Sequence, residues 1–224
     1  MAAHDPILIK ASSLADAFPH RWWIPPEAAL AELAPGHSSV KVLAVEPDEE
    51  GAADPWSAAA IWIAVEERDA ALITGTIEDS ETERAGYRVG DRITVPLDRV
   101  LDLVEFGPEG EPVLNEGRAR FAMGKRVLVG LTSLDQSGEV VERHQLAARV
   151  GRIEANRGIE LRLDDGTQYW LPPDARSLRE APQGDYALRT SGQVIRDPDY
   201  LCFWTVTLSG EDDPLREGFQ APRE

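Results

Sequence analysis

The stretch LAARVGRIEANRGIELRLDDGTQYWL, Leu146–Leu171, decides what kind of fold this chain has. Apolar and polar residues alternate with a period of two through IELRL and TQYWL, which is the pattern of half-buried strands. Between them stands Asp165-Gly166, the dipeptide that most strongly marks a tight hairpin between alternating strands. Asn156-Arg157-Gly158 supplies the preceding turn. Three successive antiparallel strands are therefore predicted, and DYALRT, QVIRD and YLCFWTVTL extend the pattern between Ser191-Gly192 and Asp197-Pro198.

Working backward, RFAMGKRVLVGLTS is a mixed apolar segment, and GPEGEPVLNEG (107–117) is rich in Gly, Pro and Glu, which predicts a linker. Upstream, SVKVLAVE, AAIWIAVEE, AALITGTIE and RITVP read as strands separated by acidic loops. In GYRVGDRITVPLDRVLDLVEF (86–106), Val89-Gly90-Asp91 is turn chemistry and Pro96 ends a strand, since proline cannot donate to a ladder. A turn then leads into a strand from about Arg99, with the charges, Asp102 among them, on a solvated face. One short helix is predicted in IPPEAALAELAPG, started by Pro25-Pro26, favoured by Glu27 and stopped by Pro35-Gly36. Residues 1–23 are expected to be irregular, and the aperiodic tail 209–224 disordered.

The fold expected is thus β-rich α+β. It comprises an N-terminal α+β module (1–106), a linker (107–117) and a C-terminal β-meander or barrel-like module (118–208), both antiparallel. A faint echo links the halves: Gly75-Thr76-Ile77-Glu78 and Gly151-Arg152-Ile153-Glu154 each precede a strand, a Gly/Asp turn and a proline–aspartate–arginine segment. That echo raises the possibility of a duplicated sheet unit.

Composition narrows function. Of 224 residues, 40 are Asp or Glu and 23 Lys or Arg, a net charge of −17. Phosphate-backbone affinity comes from cations displacing counterions, so such a chain with no basic run is a poor binder of nucleic acid or anionic membrane. Charge of this sign speeds association with a basic protein instead. The longest apolar run, AAAIWIAV, is far short of the roughly 20 residues of a membrane span. MAAHDPILIKASSL lacks a secretory pattern, and a cytoplasmic protein is expected. Cys202, the only cysteine, excludes an intrachain disulfide and a cysteine zinc site, and reads as a buried thiol.

His4, His20, His37 and His144 show no zinc-hydrolase spacing; GKRVLVG lacks the features of a phosphate loop; no G-x-S-x-G elbow occurs. No metal, cofactor or catalytic residue is assigned. Adjacent acids such as Glu66-Glu67 and Asp164-Asp165 lack the calcium-loop pattern and read as solvated turns. The segment FPHRWWIPP (18–26) stands out, because two tryptophans beside His20 and Arg21 cannot both point inward from an extended chain. One of Trp22 and Trp23 is expected on the core and the other at a binding edge, with Trp56 as a second candidate.

Residues 60–104 carry a likeness. Trp62, Gly75, Gly90, Asp91 and Asp102 match a pattern in which a W-[VI]-x-V strand is followed by a G-x-[IL] strand, a Gly-Asp turn and an I-x-D-W-like strand. In this the stretch resembles a small bacterial domain of unknown function typified by YegJ-like proteins. Glu78-Asp79 stand where that family often has Asn-Pro, and Leu103 replaces its last Trp. The resemblance implies a sheet module and no catalytic residue. The expected function is a non-catalytic protein-binding module, of immunity or regulatory type, for a basic partner. The alternative is an enzyme or small-ligand binder with a site between the modules.

Overall fold

The computed structural model describes residues 7–45, 56, 58–78, 87–155, 157–172, 174–189 and 191–207. The chain divides into two compact units, Met1–Val113 and Leu114–Glu224.

In the first unit the order is β1 (Ile7–Leu8), α1 (Ala11–Ala17), α2 (Glu27–Ala31), β2 (Ser38–Val45), β3 (Ala59–Arg68), β4 (Leu72–Ile77), β5 (Arg92–Pro96), β6 (Asp102–Phe106) and β7 (Pro112–Val113). The sheet runs β5-β4-β3-β2-β6-β7, with β1 on the far end of β2, and its pairs are antiparallel. Every residue of β2 is buried, so this central strand is covered on both faces. Directly opposed residues share a face, which sorts Val40, Ile63, Leu103 and Ile77 to one side and Lys41, Trp62 and Asp102 to the other.

The second unit holds α3 (Glu116–Ala122), β8 (Arg126–Leu134), β9 (Val140–Glu154), β10 (Gly158–Arg162), β11 (Gln168–Leu171), β12 (Arg179–Glu180), β13 (Asp185–Ala187), β14 (Val194–Arg196) and β15 (Tyr200–Thr207). Its main sheet runs β11-β10-β9-β8-β15-β12. On one face Val127, Val129, Leu146, Ala148, Val150, Ile159, Leu161 and Cys202 form the core under Ala122 of α3 and Leu178. On the opposite face the β13–β14 hairpin covers one end, packing Leu188 and Ile195 on Leu128.

The hairpin built on Asp165-Gly166 forms where the sequence puts it, with Arg162 opposite Gln168. Several expectations are corrected. The second sheet is not wholly antiparallel: β15 runs parallel to β8 over eight residue pairs, its return made possible by the long connection through β9–β14. Among the described residues neither main sheet closes into a barrel, since β5 and β7, and β11 and β12, end them.

The division between the two units falls within residues 107–117, which carry regular structure on both sides of it. Gly107 donates to Glu111 and closes the β6–β7 hairpin, and Asn115 caps α3 by accepting from Arg118 N–H at 3.0 Å. Of the segment 1–23, residues 1–6 lie outside the described residues, and the rest is not irregular, because α1 forms and buries Ala11 and Leu14 three residues apart. Among the described residues three α-helices stand against the single one expected, and the segment 209–224 lies outside the described residues.

The two units share a plan. In each, a helix leads into a four-strand meander (β2-β3-β4-β5; β8-β9-β10-β11), then a 3-10 turn (Leu97–Arg99; Ala175–Ser177), then a strand antiparallel in direction to the first. In the second unit the later strand β15 lies between β8 and that strand in the sheet. Register also shows that the Gly151–Glu154 echo belongs to β9, whereas Gly75–Glu78 runs along and just past β4. By topology the counterpart of Gly75–Glu78 is β10, not the end of β9.

Candidate functional site: an aromatic clamp and an arginine face

The first candidate builds from the N-terminal segment of unit one. Ile9 N–H donates to Leu43 O, laying the chain beside β2. After α1, Phe18 and Arg21 close a turn in which His20 takes φ 70°, so FPHRWW is not extended. That turn overturns the argument that one tryptophan must face outward: Trp22 and Trp23 are 7% and 8% exposed. Trp22 packs with Leu14, Leu43, Val45 and Leu101, and Phe18 and Trp56 lie against that cluster. The Trp56 ring is 5.4 Å from Phe18 and 5.7 Å from Trp22. His20 is exposed and Arg21 half-buried. Phe18, His20, Arg21 and Trp56 thus form the accessible part of what the sequence singled out, over a buried Trp22.

Beneath lies a pair that the sequence reading missed. Lys41 Nζ sits 3.5 Å from Asp102 Oδ2, both side chains nearly inaccessible. It is also 5.9 Å from the ring centroids of Trp22 and of Trp62. Asp102 was expected on a solvated face; register instead puts it opposite Lys41 on the covered side of β2. The available signal was Lys41 itself, a lone cation in an apolar strand, which has to be paired when buried. Chemically the arrangement is a clamp: opposite charges satisfy each other while two indoles shield them and tie the N-terminal segment to the sheet.

The Trp22 indole N–H has no acceptor among the described residues. Trp22→Phe should therefore be mild, about 1 kcal/mol or less, while Trp22→Ala should cost about 3–5 kcal/mol through the cavity it leaves. Chemical denaturation of both variants checks this; equal losses would show that the ring does not pack as described.

The second candidate is the outer face of the β8–β11 sheet. Glu160 is fully buried there and accepts from Arg152 Nε at 2.5 Å and Arg162 Nε at 2.6 Å. The Arg162 hydrogen bond, followed by that of Arg152, holds the Glu160 carboxyl below the usual glutamate range against the opposing effect of burial. Arg152 and Arg157 stack on Trp170 at 5.5 and 4.6 Å. No motif announced this cluster; its one legible trace is the alternation that sends Glu160, Arg162, Gln168 and Trp170 to the same side.

Two further buried groups serve the core. Arg118 donates to Tyr200 Oη at 3.0 Å and Leu178 O at 2.9 Å and pairs with Glu180 at 3.3 Å, holding α3 to the second sheet. Burial pushes the Cys202 thiol up, away from the nucleophilic thiolate. Among the described residues, no three His, Cys, Asp or Glu side chains gather as a metal site. No described helix is long and apolar enough to cross a membrane.

Charge divides unevenly between the units. Met1–Val113 has 22 acids against 8 Lys or Arg, and Leu114–Glu224 has 18 against 15. The first unit therefore carries −14 of the −17. No family model, curated protein or solved structure matches this chain.

Proposed function

We propose that the protein is a non-catalytic, cytoplasmic binding module whose first unit receives a basic protein partner, in the manner of an immunity or regulatory protein. The observation that supports this most is the concentration of charge: 22 acids against 8 bases in one unit of 113 residues. Glu27, Glu32, Glu105, Glu109 and Glu111 are all exposed there. Such a surface raises the encounter rate with a cationic partner and penalises anionic ones. The rim of Phe18, His20, Arg21 and Trp56 would supply the aromatic contact that charge alone does not give. The likeness of residues 60–104 to YegJ-like proteins belongs to the same proposal and contributes a sheet module without chemistry.

The test is capture on the immobilised full chain from lysate of the native host, eluted with salt. One stoichiometric basic protein should leave at moderate salt. With that protein purified, the triple variant Glu27→Gln, Glu32→Gln, Glu105→Gln should slow association by about threefold to tenfold while leaving dissociation nearly unchanged. An association rate indifferent both to these changes and to salt would refute the reading.

A further inference from the structure

The outer face of the second sheet carries a charge pattern that packing does not ask for. Register places Arg126, Arg149 and Arg162 directly opposite one another across β8, β9 and β10. Like charges so placed destabilise a sheet, and an exposed face has many better choices. Neither Arg126 nor Arg149 has an ion-pair partner among the described residues; Arg149 donates only to the Gly124 carbonyl, at 3.1 Å.

Beside this row the chain spends a fully buried carboxylate on holding two more guanidinium groups. Glu160 takes the Nε of Arg152 and of Arg162, and each of these side chains remains about half exposed. Arg162 is thereby fixed through Nε, with both Nη groups left over among the described residues, a fork set for a carboxylate or phosphate. A bulge in β9 opposite Glu160 brings Arg152 onto this face, and Gly151 leaves the room: a Cβ there would meet Arg162 Nε at 2.8 Å. Trp170 underlies Arg152 and Arg157. Against these five arginines the face sets Glu160 and Glu154, the latter 2.9 Å from Arg152.

We propose that this face binds an extended, carboxylate-rich polypeptide segment, a second and oppositely charged surface independent of the acidic one. Three strands at about 4.8 Å spacing stretch the arginine row over roughly 10 Å, too far for one small anion. Residues 114–207 balance 13 acids with 13 bases, so attraction is local and suits a short ligand. A long nucleic acid would meet the repulsion of the whole −17 chain. Alternate carboxylates of an extended peptide recur on one side about every 6.6 Å, within reach of successive long arginine side chains.

The probe is a fluorescein-labelled peptide alternating Glu and Ser, titrated into the full-length protein at low salt, with an equally long Lys–Ser peptide and an oligothymidine as comparisons. Saturable binding of the Glu peptide alone is expected, falling steeply with salt. Arg149→Ala and Arg157→Ala should each weaken it by about fivefold to tenfold, the range of one charge-assisted contact. Amide and indole chemical shifts of the unmodified protein provide a readout that no folding defect can mimic: peptide-induced changes should centre on Arg149, Arg152, Arg162 and Trp170. Absent binding, shifts elsewhere, or tighter binding of oligothymidine would overturn the proposal. So would the same shifts on concentrating the protein alone, which would make the occupant a second copy.

Discussion

Gly158→Ala should cost about 3–4 kcal/mol and strip hydrogen-exchange protection from β10 and β11. Gly158 opens β10 with φ 104°, a conformation that side-chain-bearing residues rarely adopt. A Cβ there would also run into the backbone carbonyl of Leu171, with further contacts at Leu171 C, 3.0 Å, and Pro172 C, 3.3 Å. These are main-chain atoms at the end of the partner strand and just past it, with Leu171 paired to Ile159 and 3% exposed in the core. Neither side can yield without breaking the ladder. Gly166 gives the matched control: its φ is 86° but nothing lies within 4 Å of its Cβ position. Gly166→Ala should lose only the conformational part, about 1–2 kcal/mol. Denaturant unfolding and amide exchange on the pair separate strain from close approach. If the two substitutions cost the same, the close approach of β10 to β11 is not real.

That contrast also marks what a sequence can and cannot show. The hairpin at Asp165-Gly166 was legible because turn chemistry and alternation are local. Nothing local distinguishes Gly158 from Gly166; the difference is which backbone lies opposite. The same holds for β15. Its apolar alternation identified a strand, but pairing parallel to β8 rather than antiparallel to a sequence neighbour is a property of the connection between them. The segment 107–117 was legible as the place where the units divide, but not in its local structure: Gly, Pro and Glu are linker residues by composition, yet they equally build a hairpin turn and start a helix. At the aromatic site the residue types were legible and their direction was not. Trp22 and Trp23 were expected on opposite fates from an extended chain, and the left-handed His20 removes that premise.

Lys41→Ala should be among the most damaging single substitutions in the first unit, at about 3–5 kcal/mol, because it leaves the Asp102 carboxylate buried without its counter-charge. The Asp102 Oδ1 also accepts the Leu103 N–H at 2.9 Å, and its side chain is 5% exposed. Asp102→Leu should be comparably costly, because it removes the carboxylate that lies 3.5 Å from the buried Lys41 ammonium. The double variant Lys41→Met, Asp102→Leu should recover to within about 1 kcal/mol of the native chain. It removes both charges at once and gives the indoles a thioether to pack on. A double-mutant cycle by chemical denaturation then isolates the coupling between the two. The recovery matters for function as well as stability, since the pair lies under the Trp22 ring on which Trp56 rests. If the double variant regains stability but the basic partner dissociates faster from it, the charged clamp positions the aromatic rim rather than merely filling the core. Single substitutions that cost less than about 1 kcal/mol would mean that the pair is solvated and that the clamp does not exist.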